Sequence, residues 1–197
     1  MKASMYPVVS RITRTSLLAR SPTLYRAYAR WFKPQYEAGK HPWSMPDKST
    51  DLVIEEPGAC GNHSLATYFE QHNPGKKLAT LTHAAAPVIY AARHGIPCIV
   101  LTRDIIGYVD SCTDRHPAWF SEWMAVEFYC SFFRSVMPYR WGFVTATLEE
   151  IADDPRNVIA RVNVKFGTEF NVGNGMLPRI RHTSGAKQTR FTQETEK

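Results

Sequence analysis

Residues 51–65 read Asp-Leu-Val-Ile-Glu-Glu-Pro-Gly-Ala-Cys-Gly-Asn-His-Ser-Leu, and the fold is decided here. Leu52, Val53 and Ile54 form a short apolar run of the kind that makes a buried strand. Pro57, Gly58, Ala59, Cys60 and Gly61 are turn-forming or small. The polar side chains of Asn62, His63 and Ser64 follow, and then a helix with Leu65, Tyr68 and Phe69 on one face. A strand that ends in a glycine-containing loop and opens directly into a helix gathers backbone N–H groups at the positive end of the helix dipole. Such a spot suits an anion, most often a phosphate.

Outward from this unit, strands and helices alternate. Asn73-Pro74-Gly75 is a turn, and Leu78 to Thr82 a second strand. Residues 84–94 suit a short helix that ends at Gly95-Ile96-Pro97. Cys98 to Leu101 is unbroken apolar sequence, as in a strand covered on both faces of a parallel sheet. Asp104 to Arg115 reads as a helix with Ile105, Ile106, Val109 and Cys112 inward. Trp119 to Met137 is a long aromatic helix whose stripe reads as core. Gly142 to Thr147 is a further strand, and Asp154-Pro155 opens a helix that runs to Phe166. The expected class is α/β, a central parallel sheet flanked by helices, with ligands at the carboxyl ends of the strands.

The chain has 197 residues, 44% of them hydrophobic and 12% aromatic, which fits one globular domain and excludes wholesale disorder. A net charge of +6 suits a nucleotide, a nucleic acid or a membrane surface as partner. The basic excess is concentrated at the N-terminus, where Glu37 is the only acid before residue 41. No recognition motif supports nucleic acid, and the charge is terminal and diffuse. Cys60, Cys98, Cys112 and Cys130 form no C-x-x-C pair, so neither a zinc ribbon nor a secreted disulfide framework is indicated. No apolar run reaches membrane-spanning length, and a soluble, cytoplasmic protein is expected.

Three segments are expected: residues 1–49 as a basic extension and connector, 50–171 as the α/β domain, and 172–197 as a basic tail. The extension carries three readings: a helix packed on the domain, a basic helix lying on an anionic membrane, or an organellar transit peptide. Pro22 interrupts it, leaving a helix from about residue 23 to 33.

Common phosphate loops do not fit. Gly61 is followed by Asn62, where a nucleotide loop of the G-x-x-x-x-G-K type needs Lys. The arginine of a cysteine phosphatase would fall at Ala66. Only Gly58 and Gly61 are available for a dinucleotide fingerprint.

Cys60-Gly61-Asn62-His63-Ser64-Leu65 resembles the Ser-Gly-Asn-His-Trp-Leu form of the first cofactor motif of sulfotransferases that use 3′-phosphoadenosine 5′-phosphosulfate. Thr82-His83 resembles that family's Thr-His, whose histidine is the catalytic base. CIVLTRDIIGYVDSCTD resembles its second cofactor motif, a strand ending in Arg103-Asp104 with Ser111 eight residues after the arginine. LEEIADDP resembles the acidic pair and Asp-Pro, and VNVKFGTEF the helix end near the close of the domain. The resemblance runs from about residue 50 to 171, in order and with matching spacing.

The resemblance implies a P-loop sulfotransferase-like fold that moves a sulfuryl group from this donor to a hydroxyl or amine of a small molecule, glycan or lipid. Gly58, Ala59, Cys60, Gly61, Asn62 and His63 would hold the 5′-phosphosulfate. Arg103 and Ser111 would hold the 3′-phosphate, the arginine as a charge-assisted fork. Arg181 would contribute from the tail, and His83 would act as general base. No metal and no nucleic acid are implied, while the basic N-terminus allows contact with a membrane surface. Three positions depart from the pattern. The family's loop lysine falls at Ala59, its adenine-stacking tryptophan at Ser64, and its tyrosine before the acidic pair at Leu148. The alternative is a non-catalytic sulfotransferase-like binding protein with a degenerate loop.

Overall fold

In the computed structural model, residues 6–32, 45–115, 117 and 120–174 are described. Arg181 and the tail from 175 onward, like residues 33–44 of the connector, lie outside them. Ahead of the sheet come α1 (Tyr6–Thr15), α2 (Leu17–Arg20) and α3 (Pro22–Phe32). Then follow β1 (Leu52–Glu55), α4 (Asn62–His72), β2 (Leu78–Thr80), α5 (Ala85–His94), β3 (Cys98–Thr102), α6 (Ile105–Arg115) and α7 (Glu122–Val136). A 3-10 turn (Met137–Gly142) leads to β4 (Val144–Thr147), α8 (Leu148–Asp153) and α9 (Pro155–Phe166).

The four strands are parallel, in the order β2-β1-β3-β4. Alternate residues feed two cores, because successive strand side chains point to opposite faces. Leu52, Ile54, Ile99 and Leu101 pack with Leu65, Phe69, Tyr108, Phe128, Ile151 and Ile159. Val53, Cys98 and Val100 pack with Val88, Ile89, Phe132 and Val136 on the other side. Both faces of the central strands are therefore covered, which explains their unbroken apolar runs. β1 leads outward to β2 and β3 leads the opposite way to β4, so the chain direction reverses between β1 and β3. That switch point, at the carboxyl ends of the strands, is where open parallel sheets place their ligands.

Ends of elements follow local chemistry. Asp154 caps α9 through the Arg156 amide with Pro155 at its first position. Thr147 and Glu150 form a reciprocal capping box on α8. Helix α6 differs from expectation, because Ile105 is 39% and Ile106 73% exposed. They open the helix at the rim of the sheet, and the buried face is made by Tyr108 and Cys112, one turn apart. The N-terminal segment also holds more helix than expected: α1 packs on α7, and α2 and α3 pack on α5. Ala19 and Tyr25 are buried there against Ala84 and Ala86.

Candidate functional site

β1 does not stop at its apolar residues. It runs through Glu55, and both Glu55 and Glu56 are buried. Each carboxylate holds a different loop. Glu55 accepts from the Thr82 amide at 3.0 Å and the His83 amide at 3.1 Å, which fixes the turn after β2. Glu56 Oε2 accepts from the Cys60 amide at 2.7 Å and the Asn62 amide at 3.1 Å, inside the loop between β1 and α4. The other oxygen, Oε1, lies 3.8 Å from His83 Nδ1.

Both loops carry backbone strain. Among the described residues the non-glycine positions with positive φ are Ala59 (52°), Leu81 (64°) and His83 (55°), all within these two loops. Left-handed residues with a Cβ cost about 1 kcal/mol each and persist where the surroundings over-determine them. Here the two carboxylates do so. Asn62 adds a third tie. Its side chain donates to the Ile54 carbonyl at 3.2 Å and accepts from the Thr80 hydroxyl, linking β1, β2 and α4.

Burial pushes the carboxyl of Glu55 up to about 8 and that of Glu56 up to about 7, against the pull of the amides each accepts. Burial also raises the Cys60 thiol well above its ordinary value, and its Sγ donates to the Gly58 carbonyl at 3.0 Å. A thiol held neutral in this way is a loop-packing group and not a nucleophile.

Arg103 leaves the end of β3 and reaches across the switch point, where its Nη1 donates to the Ala59 carbonyl at 3.2 Å. Its guanidinium lies over the first turn of α6, which Gly107 permits: a Cβ there would stand 2.6 Å from Arg103 Nη2. Tyr129 holds the Arg103 carbonyl at 2.8 Å. From outside, Arg14 Nη1 and the Tyr108 hydroxyl each donate to the Pro57 carbonyl at 3.3 Å. The Tyr25 hydroxyl donates to the Thr82 carbonyl at 3.3 Å.

The structure thus joins Gly58, Ala59, Cys60, Gly61 and Asn62 to His83 on one side, through Glu56, and to Arg103 on the other. His63 is exposed on the first turn of α4. Ser111 is part-buried two turns along α6, and no hydrogen bond joins it to Arg103. Arg181 is outside the described residues. The amides of Ala59 and Gly61 make no hydrogen bond among the described residues, whereas those of Cys60 and Asn62 are taken by Glu56. Among the described residues, no group of three or more His, Cys, Asp or Glu side chains is placed to hold a metal ion. A depression of about 430 Å³ lined by Arg20, Ser21, Tyr90, Arg93 and His94 lies at the far end of α5, about 15 Å of helix from His83.

Sequence reasoning missed Glu55, Glu56 and Gly107. The signal for the acids was their position, two carboxylates directly after an apolar strand and before the turn. Compared with known proteins, the chain matches no family model, no curated protein and no solved structure.

Proposed function

We propose that this chain is a sulfotransferase-type domain that moves a sulfuryl group from 3′-phosphoadenosine 5′-phosphosulfate to a hydroxyl or amine acceptor. The observation that carries this reading is the junction at the switch point. One loop is brought to within 3.8 Å of a histidine ring by Glu56 and is hydrogen-bonded to an arginine through the Ala59 carbonyl. The order and spacing of the motifs, from 60–65 through Thr82-His83 to Arg103 and Ser111, support it.

The residues present suit an anionic donor in part. The Ala59 and Gly61 amides and the Arg103 guanidinium are donors of the kind a phosphate needs. When bound, the donor supplies a sulfuryl group activated on a phosphate leaving group. His83 takes the proton of the acceptor as that acceptor attacks. Arg103 offers a planar fork to the 3′-phosphate, and Ser111 a hydroxyl from α6. The acceptor is a small molecule, glycan or lipid. Val8, Ile12, Leu17 and Leu24 stand exposed among the arginines of α1 to α3, which suits work at a membrane surface. The free thiols Cys60, Cys98, Cys112 and Cys130 suit the cytoplasm.

A second reading, a non-catalytic sulfotransferase-like binding protein, is favoured by one feature. Ala59 stands where the family has a lysine, and Glu56 already occupies two loop amides. Losing one cation at developing charge costs about 3 kcal/mol of barrier on the scale of an oxyanion donor. Calorimetric titration with 3′,5′-adenosine bisphosphate, with 5′-AMP as control, separates the two. Tight binding of the bisphosphate that is lost in Arg103→Ala, and weak binding of AMP, are expected. No binding at millimolar ligand overturns the donor reading. Where transfer is measurable, unchanged turnover in His83→Ala removes that residue from the mechanism.

A further inference from the structure

We propose that Glu55 and Glu56 are the positioning residues of this site, clasping its two loops from the end of one strand, with Glu56 the acidic partner of the His83 ring. The proposal rests on the reading of His83 as general base. Adjacent residues on a strand project to opposite sides, so a single strand end delivers one carboxylate to each loop. Glu55 takes the two amides that define the turn carrying His83. Glu56 takes two amides of the facing loop and brings Oε1 to 3.8 Å from His83 Nδ1. The three strained non-glycine residues all lie in the segments so held. A pair of surface acids would do none of this.

In the transfer, the acceptor hydroxyl gives its proton to His83 while its oxygen forms the new bond to sulfur. The old bond from sulfur to the phosphate oxygen breaks, and its electron pair leaves with adenosine 3′,5′-bisphosphate. His83 then carries a positive charge 3.8 Å from Glu56, whose carboxyl titrates at about 7 and, once ionised, stabilises that charge. The other charged groups acting on Glu56 are Arg14 from α1 and Arg115 from α6, both favouring its ionised form, while Glu56 itself disfavours ionisation of Glu55.

The test is a histidine-ring NMR titration of the full chain, with the His83 signal assigned from His83→Gln. In Glu56→Gln the His83 midpoint falls by roughly half a unit or more, because the carboxyl whose ionisation near pH 7 favours the charged ring is gone. The remaining histidines keep their midpoints, and Glu56→Asp restores part of the shift. In Glu55→Gln the ring midpoint stays near the wild-type value, while exchange of the Thr82 and His83 amides quickens about tenfold. An unmoved His83 midpoint in Glu56→Gln, or unchanged amide exchange in Glu55→Gln, overturns the proposal. Should Glu56→Gln fail to fold, the wild type decides. Carboxyl-labelled Glu56 and the His83 ring then titrate with shared inflections, and independent single steps overturn the pairing. Bisphosphate binding is measured on the same samples. Its absence alongside the His83 shift sinks the sulfotransferase reading and leaves the clasp standing.

Discussion

Glu55 and Glu56 are acids held where their neutral forms are favoured, and this sets the pH dependence of stability. Both carboxyls rise from the ordinary 4.5, to about 8 and about 7. The folded chain therefore binds more protons than the unfolded chain between pH 4.5 and those values. Their stabilising contribution is complete below 4.5 and is lost as pH climbs through 7 and 8. Asp51 acts in the opposite sense, because the Lys77 amide holds its carboxyl below 3.8, and its contribution is lost as pH falls. Unfolding free energies from urea titration are expected to peak near pH 5 and to fall toward pH 8 by an amount on the order of a few kcal/mol. A Glu55→Gln, Glu56→Gln double variant flattens that fall. A wild-type profile that rises from pH 5 to 8 contradicts the burial argument. Gly107 is the second residue whose role is local. A methyl there meets Arg103 Nη2 at 2.6 Å, and the long side chain swings aside more easily than the helix moves. Gly107→Ala is expected to preserve or raise stability by about 0.5–1 kcal/mol while weakening bisphosphate binding about tenfold. Calorimetry on the variant reads both.

Among the elements, α4 and α8 meet at Gly61, the left-handed residue just ahead of α4. Its φ is +96°, and a Cβ would stand 2.4 Å from Ile151 Cδ1 and 2.8 Å from Leu148 Cδ1. Gly61→Ala combines a forbidden conformation with a clash against buried side chains, so a loss of about 2 kcal/mol or more is expected in urea unfolding. Thr147→Ala removes one arm of the α8 capping box and costs about 1 kcal/mol by the same measurement. The elements themselves were legible in the sequence where one signal dominated. The apolar runs at 52–54 and 98–101 became central strands, the turn signals at 73–75 and 95–97 lie between elements, and Asp154-Pro155 starts α9. What escaped depended on partners far along the chain. Two acids after an apolar run look solvated, and only the amides at 82, 83, 60 and 62 make a buried position tolerable for them. Pro22 does interrupt the segment: α2 ends at Arg20, and α3 opens at Pro22, where the missing N–H costs nothing. Ser64 and Leu148 were legible as departures from the sulfotransferase motifs that the sequence resembles, and Leu148 lies in the core beside Ile151.

At the scale of the molecule, the N-terminal helices and the site loops form one structure. Arg14 lies 5.2 Å from the Phe128 ring centroid and reaches the Pro57 carbonyl, so α1 bridges α7 and the first loop. Tyr25 is fully buried and reaches the Thr82 carbonyl, so α3 supports the turn that carries His83. Burial holds the Tyr25 hydroxyl far above its ordinary value, which keeps it a neutral donor across the working range. Removing residues 1–32 would therefore do more than shorten the chain. It would expose Ala84 and Ala86, leave the Pro57 and Thr82 carbonyls without these donors, and release the strained residues Leu81 and His83. Tyr25→Phe isolates the hydrogen bond from the packing, since it keeps the ring and deletes only the hydroxyl. It is expected to cost about 1 kcal/mol and to quicken amide exchange at Thr82 and His83 without changing exchange in α9. The deletion is expected to lower the melting temperature by more than Tyr25→Phe does and to extend fast exchange through both site loops. Equal exchange at Thr82 in the deletion and the intact chain would show that the helices merely cover the domain, and the turn carrying His83 would then owe its shape to Glu55 alone.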